Sequence, residues 1–409
     1  MADDHVLSKV HHLSDVELAC LLSLINNEHC IISTPADCLD ELATELQLIS
    51  ERTFGLNSAV VECTPHTTLD DFASSLLLHP PSPTTTRSVS PFLARSGNES
   101  YFAPKAHQPP QINPGLTYHA PTSPLTPTST TLGPSHSQIA NIILAKNLDK
   151  APKAVQIQAL ELLRTHRIFT RTSVHTAPKT FMLVAVLGAE SGGQARVTPH
   201  LNDFFYIAHW VDPDKEGFPQ LYGDDESSVA SSELGRAGAG DDDASIASTA
   251  SVVKRRSRVS GSLFRSPASF STSNVASKPP TFTSSDISNL RQLALRVSVD
   301  IDVTRYQMNI VSFLRMHRAV GGGISPQATR HFEMLMKSLA PLHGLDYVTP
   351  ALVCLAARKV YLHRIRMVDP VRERSMQWGS ELRAIEKLLD GWGPEEVVEE
   401  VLGLVAAPV

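Results

Sequence analysis

Gly323-Ile324-Ser325-Pro326-Gln327-Ala328, then His343-Gly344-Leu345-Asp346-Tyr347-Val348-Thr349-Pro350, then His363-Arg364-Ile365 are the strings on which the fold turns. Ser325-Pro326 and Thr349-Pro350 each set a hydroxyl N-cap before proline at the first helical position, where the missing N–H has no helical partner to lose. Each opens a helix, and the second carries Leu352, Val353, Leu355 and Ala356 on one face. Upstream, Val303 to Arg318 reads as another helix; downstream, Glu381 to Leu389 and Glu395 to Leu404 add two more. Residues 286–368 therefore read as an all-helical domain, and 369–409 as a helical tail.

Toward the N-terminus the pattern changes to alternation. In residues 1–78, Ser14 and Glu17 form a capping box before Leu18, Leu21, Leu22 and Ile25. His29-Cys30-Ile31-Ile32 is a short apolar strand; Leu39, Leu42, Leu46 and Ile49 fall at helical spacing; Ala59-Val60-Val61 is a second strand; Thr68 opens a turn or helix. In residues 137–222, Ile139 to Leu144 reads as a strand, Val155 to Leu163 as a helix, and Ile168-Phe169-Thr170 as a short strand. Phe181 to Val186 is fully apolar, and Leu201 to Val211 supplies one more strand. Strands alternating with helices imply a parallel sheet covered on both faces.

Two stretches interrupt this α/β lobe. His79 to Ser135 holds 12 of the 28 prolines amid Ser and Thr, and proline blocks both helix interior and central strand. Residues 223–285 open with Asp224-Asp225-Glu226, repeat Ser, Ala and Gly, and turn basic at Lys254-Arg255-Arg256-Ser257-Arg258-Val259-Ser260. Both, at 79–136 and 223–285, are expected to be disordered insertions. Ser90, Ser123 and Ser266, each before proline, are candidate phosphosites within them.

Composition narrows the class. The 409 residues are 42% hydrophobic and carry a net charge of −6, so nucleic acid is not an expected partner. No apolar run approaches the roughly 20 residues of a membrane span, and Met1 to His5 lacks the start of a signal peptide. The five cysteines have no metal-type spacing, and no metal site is expected. A cytoplasmic location is expected, with nuclear import through the Lys254 string as the alternative. Charge is uneven: residues 1–78 hold two basic and thirteen acidic side chains, residues 286–368 eleven basic and five acidic.

The helical strings resemble the lid domain of the magnesium-chelatase ATPase subunit and MoxR-type AAA+ families, whose pattern is Gly-Ala-Ser-Pro-Arg-Ala, Gly-Arg-Asp-Tyr-Val-Thr-Pro and His-Arg-Ile/Leu at similar spacing. Lys150-Ala151-Pro152-Lys153-Ala154-Val155-Gln156 with Ala159-Leu160-Glu161 resembles the helix after the family's Walker B strand, and Pro199 to Phe205 its Leu-Leu-Asp-Arg-Phe string. The resemblance covers about 10–78, 137–212 and 295–368. It implies an AAA+ P-loop-type parallel sheet lobe with a helical lid, an ATP/Mg2+ site, ring assembly, and remodelling of a protein partner.

The residues that such chemistry needs do not stand at the matching positions. Backbone amides and a Lys must hold the phosphates, an acidic pair the metal, and a sensor, a finger and a lid arginine the γ-phosphate. After the first strand comes Ser33-Thr34-Pro35-Ala36-Asp37-Cys38-Leu39-Asp40-Glu41, without Gly or Lys. Three carboxylates there oppose a triphosphate by about 1 kcal/mol per close pair even in bulk water. Walker B reads Leu144-Ala145-Lys146, the sensor position Leu187, the finger Phe204 and the lid arginine Gln327. No catalytic residue is therefore expected. The first expectation is a degenerate member, a pseudo-ATPase acting as an interaction scaffold or an inactive ring subunit without cofactor. The alternatives are an active magnesium-chelatase-like ATPase, and a phospho-regulated adaptor working through the insertions.

Overall fold

The structure, a computed structural model, describes residues 4–78, 138–171, 173–222 and 279–408. The insertions at 79–136 and 223–285, apart from 279–285, lie outside the described residues, as do Ser90, Ser123, Ser266 and the basic string from Lys254.

Five strands form one parallel sheet: β1 (His29–Thr34), β2 (Ser58–Glu62), β3 (Ile142–Lys146), β4 (Met182–Gly188) and β5 (Phe205–Trp210), in the order β2-β3-β4-β1-β5. Among the described residues this lobe carries the helices α1 (Asp4–His11), α2 (Asp15–Asn26), α3 (Leu39–Leu48), α4 (Leu69–Ser75), α5 (Lys153–Thr165), α6 (Pro199–Asn202) and α7 (Pro219–Tyr222). The central strands β1, β3 and β4 are buried at nearly every position because both faces are covered. Cys30 and Ile32 of β1, with Val184 and Val186 of β4, enter the core beneath α2 and α3. Ile31, Leu183 and Ala185 enter the opposite core, with α4 and α5.

The lid comprises α8 (Ser284–Arg296), α9 (Ile301–Met316), α10 (Pro326–Leu342) and α11 (Pro350–Tyr361), followed by α12 (Leu382–Leu389) and α13 (Pro394–Leu404). The caps read from sequence form. Ser14 accepts the Glu17 N–H while Glu17 accepts the Ser14 N–H at 2.9 Å. Ser325 accepts the Ala328 N–H at 3.0 Å, and Thr349 the Leu352 N–H at 3.4 Å.

Some expectations need correction. Leu201 lies in α6, where Pro199 fixes the first helical φ, and the strand begins only at Phe205. Ile168 and Phe169 do not join the main sheet; Arg167–Phe169 pairs antiparallel with Val174–Thr176. The run from Ile139 is split: Gln138–Ile139 pairs antiparallel with Leu77–Leu78, and β3 starts at Ile142. The helix α8 did not stand out in the sequence. It carries its own capping box, Thr283 with Asp286, and just before it Phe282 is fully buried, its N–H donating to the Thr53 carbonyl at 2.8 Å. The chain thus rejoins the core before residue 286.

Lid and lobe share one hydrophobic core, which runs from Leu21 and Leu24 of α2 through Leu290 of α8 to Phe332 and Leu335 of α10. Arg291 of α8 donates to the carbonyls of Ile25 at 2.6 Å and Leu24 at 2.8 Å, and to the Asn27 side chain at 2.6 Å. A cation there satisfies the open carbonyls at the end of α2 and complements its dipole.

Candidate functional site

Parallel strands bring Thr34, Lys146, Leu187 and Gly188 to one edge of the sheet, at the C-terminal ends of β1, β3 and β4. Thr34 is buried, its hydroxyl donating to the Val211 carbonyl at 3.3 Å. Pro35 introduces a single 3-10 turn, Ala36–Cys38, closed by Cys38 N–H on the Pro35 carbonyl at 3.0 Å, and α3 begins at once. The loop lies close on the end of β4: a Cβ on Gly188 would stand 3.3 Å from Leu39 and 3.4 Å from Ala36. This is a tight turn, not a wide loop of amides around a ligand.

The carboxylates at this turn face outward. Asp37, Asp40 and Glu41 are exposed. Lys146, at the end of β3, pairs with Asp40 and, at 3.3 Å, with Glu62 from the end of β2. Its side chain is 12% exposed, against 87% for Asp40. The hydrogen bond to Asp40 raises the ammonium pKa, partial burial opposing it. Where a nucleotide site would set a cation on the turn and an acid on the strand, this chain sets the acid on the turn and the cation on the strand. Ala145 and Leu187 are buried in the core beneath α5. After Lys146 the chain bends through Asn147 at φ +55° into a 3-10 turn, leaving Asp149 exposed.

The segment after β5 closes over α3. Glu45 accepts the Gln220 N–H at 2.9 Å and the Leu221 N–H at 2.7 Å, capping α7 against α3. Tyr222 follows, its phenol pKa raised by burial and by Glu41 beside it.

Phe204 and Gln327 belong to a different place, the joint between lobe and lid. Phe204 packs against the core beneath α5. Gln327 contacts His331 Nε2 one turn along α10, at 2.8 Å. The joint is organised by Arg364, from the His363-Arg364-Ile365 string. Its guanidinium donates to Asp203 at 3.0 Å, to the Phe205 carbonyl, to His331 Nδ1 at 2.6 Å and to His363 Nε2 at 3.2 Å. Burial lowers its pKa to about 10, with Asp203 opposing the shift. Asp203 also accepts from Ser325, the cap of α10, at 2.5 Å. Burial, then the neighbouring Arg364, pushes His331 down to about 3, so it is neutral. Arg364 donating to its Nδ1 sets the proton on Nε2. Burial lifts the Glu28 carboxyl to about 7, with Arg330 and Arg364 opposing. Gly323, at φ +103°, passes so close to the Arg364 carbonyl that a Cβ would collide with it.

Asp15, His209 and Glu216 bring three donor atoms within 4.8 Å of one another. They are poorly set for a cation. Lys359 Nζ lies 2.9 Å from His209 Nδ1, which places the imidazole proton on Nε2, and Nε2 faces Glu216 at 3.6 Å. The donor facing the carboxylates therefore carries a hydrogen in place of a lone pair. Burial and Lys359 hold His209 at about 3.

Residues 312–385 match the AAA lid domain family. A crystal structure from Cytophaga hutchinsonii, described as a "putative ATPase", superposes with a TM-score of 0.56 at 12% identity, covering 99% of this chain and 94% of that one. A full-length MCM homolog from Methanopyrus kandleri gives 0.37 at 8% identity over 86% of this chain and 56% of that one, too low to bear on the fold. The maintenance of telomere capping protein 2 of Lachancea thermotolerans is 28% identical over 114 residues, 27% of this chain and 40% of that relative's length. The chain carries an AAA lid domain on a parallel α/β lobe of AAA+ type.

Proposed function

We propose that this chain is a pseudo-ATPase of the magnesium-chelatase/MoxR kind, acting through protein contacts as a scaffold or as an inactive subunit of an AAA+ ring. One observation carries the reading: Lys146 engages Asp40 and Glu62 at the sheet edge where triphosphate and metal would have to sit. A triphosphate approaching that edge meets the exposed carboxylates of Asp37, Asp40 and Glu41 and a lysine already paired. The turn at Pro35 to Cys38 offers a single closed hydrogen bond, not a ring of open amides. The partial likeness to a telomere capping protein points to chromosome-end maintenance as the setting in which to seek the partner.

Equilibrium binding of ATP with Mg2+ to the full chain, and phosphate release, test the reading. Neither binding below millimolar concentration nor turnover above background is expected. Stoichiometric micromolar binding with Mg2+-dependent turnover would return the chain to the active, magnesium-chelatase-like ATPases.

A further inference from the structure

A cavity of about 1170 Å3 opens between the lobe and the lid, beside Asp203 at the N-terminal end of β5. It is on the far side of the sheet from the turn at Pro35. Six arginines line it: Arg164 from α5, Arg196 from the segment before α6, Arg315 from α9, and Arg364, Arg366 and Arg374 from the chain after α11. Among the described residues that line it, Asp203 is the single carboxylate, and it is already held by Arg364 and Ser325. None of the other five arginines forms an ion pair among the described residues. Burial and then Arg366 lower the Arg196 pKa, with Glu395 opposing.

A second observation points into the same cavity. His363 lines it and is fully buried. Its Nε2 lies between Arg364 Nε at 3.2 Å and the Phe205 carbonyl at 3.1 Å. Its Nδ1 has no hydrogen-bond partner among the described residues. Whichever nitrogen carries the proton, a buried polar atom at the cavity wall lacks a hydrogen bond, and such atoms normally have one.

We propose that this cavity binds a compact polyanion, a small molecule carrying two or more phosphate groups. Guanidinium groups converging from four segments match phosphate oxygens in paired hydrogen bonds better than they match any point charge. The charge density also selects the class. A peptide carboxylate brings one charge per residue on an extended chain, whereas a linear or ring-borne oligophosphate concentrates several inside a volume of this size. The site is separate from the degenerate ATP position, so the inference stands or falls apart from the pseudo-ATPase reading.

Calorimetric titration of the full chain with inorganic tripolyphosphate, at about 50 mM and 300 mM salt, tests it. One-to-one binding in the tens of micromolar is expected at low salt, weakening as salt rises. Arg164→Gln with Arg366→Gln should weaken it about tenfold or more. Both side chains are exposed and make no side-chain hydrogen bond among the described residues, so folding should persist. Each single variant should give an intermediate loss. Lys146→Met, at the other edge of the sheet, should leave binding unchanged. Absence of binding at 1 mM overturns the proposal, as does equal binding by the double variant. So does loss of binding in Lys146→Met, which would move the ligand to the sheet edge. Capture of an oligonucleotide or an acidic peptide that tripolyphosphate fails to displace would assign the cavity to a macromolecule instead.

Discussion

The sheet edge at Pro35 and the lid joint at Arg364 hold similar kinds of residue in opposite states. At the edge, Asp37, Asp40 and Glu41 are exposed, and Lys146 meets carboxylates that water also reaches. At the joint, Arg364 is 1% exposed at its side chain and meets two buried histidines, a buried backbone carbonyl and the half-buried Asp203. Charge at the edge is loosely neutralised and screened. Charge at the joint is structural, because each group removed there strands another in low dielectric. The strings that resemble an ATPase most closely are those whose side chains hold the lid.

Substitutions that separate the two regions follow in order of size. Arg364→Ala should cost about 3–5 kcal/mol in urea unfolding, since it takes the cation from Asp203, which keeps only Ser325, and a donor from the Phe205 carbonyl. Arg364→Lys should recover only part, having no planar fork. A full-length variant as stable as the parent would break the contrast at its stronger end.

The next effect depends on pH. The Glu28 carboxyl titrates near 7 in the folded chain, above its ordinary value, mainly because it is buried. The folded state therefore holds that proton more tightly than the unfolded state. Its stabilising contribution is complete below about pH 4.5 and is lost as pH rises through 7. Glu28→Gln, which imitates the protonated form, should gain on the order of 2 kcal/mol at pH 8 and little at pH 4. Thermal unfolding across that range reads the difference, and a pH-independent effect would remove Glu28 from the joint.

The smallest effect belongs to the edge. Lys146→Met should change stability by less than about 1 kcal/mol, because Asp40 and Glu62 are largely solvated. It should not restore ATP binding either, since the turn still lacks amides and a lysine. A loss of several kcal/mol would show that the edge pair is as structural as the joint.

Much of the architecture was legible because it rests on local rules. The Ser325-Pro326 and Thr349-Pro350 starts, the Ser14–Glu17 box and the apolar runs of β1 and β4 are each settled within a few residues. The expectation that Asp40, Lys146, Leu187 and Gln327 stand at degenerate positions came only from a family pattern, not from any local rule. What escaped depends on contacts across long separations. Nothing near Phe282 in sequence says that it packs in a ring pair with Phe54, 6.4 Å between centroids. The partnership of Asp40 with Lys146, 106 residues apart, follows from strand order. The arginine cavity was invisible because its six side chains are scattered over more than two hundred residues and converge only when the lid folds onto the lobe.

The continuous core beneath α2 has a mechanical consequence. Swinging the lid away from the lobe would pull Arg291 off the end of α2, open the Asp203–Arg364 bond and wet Leu24, Leu290 and Phe332 together. Each of those losses is large on the scale of thermal energy. A lid attached in this way is a poor lever. Each of these contacts would have to break together for the lid to part from the lobe.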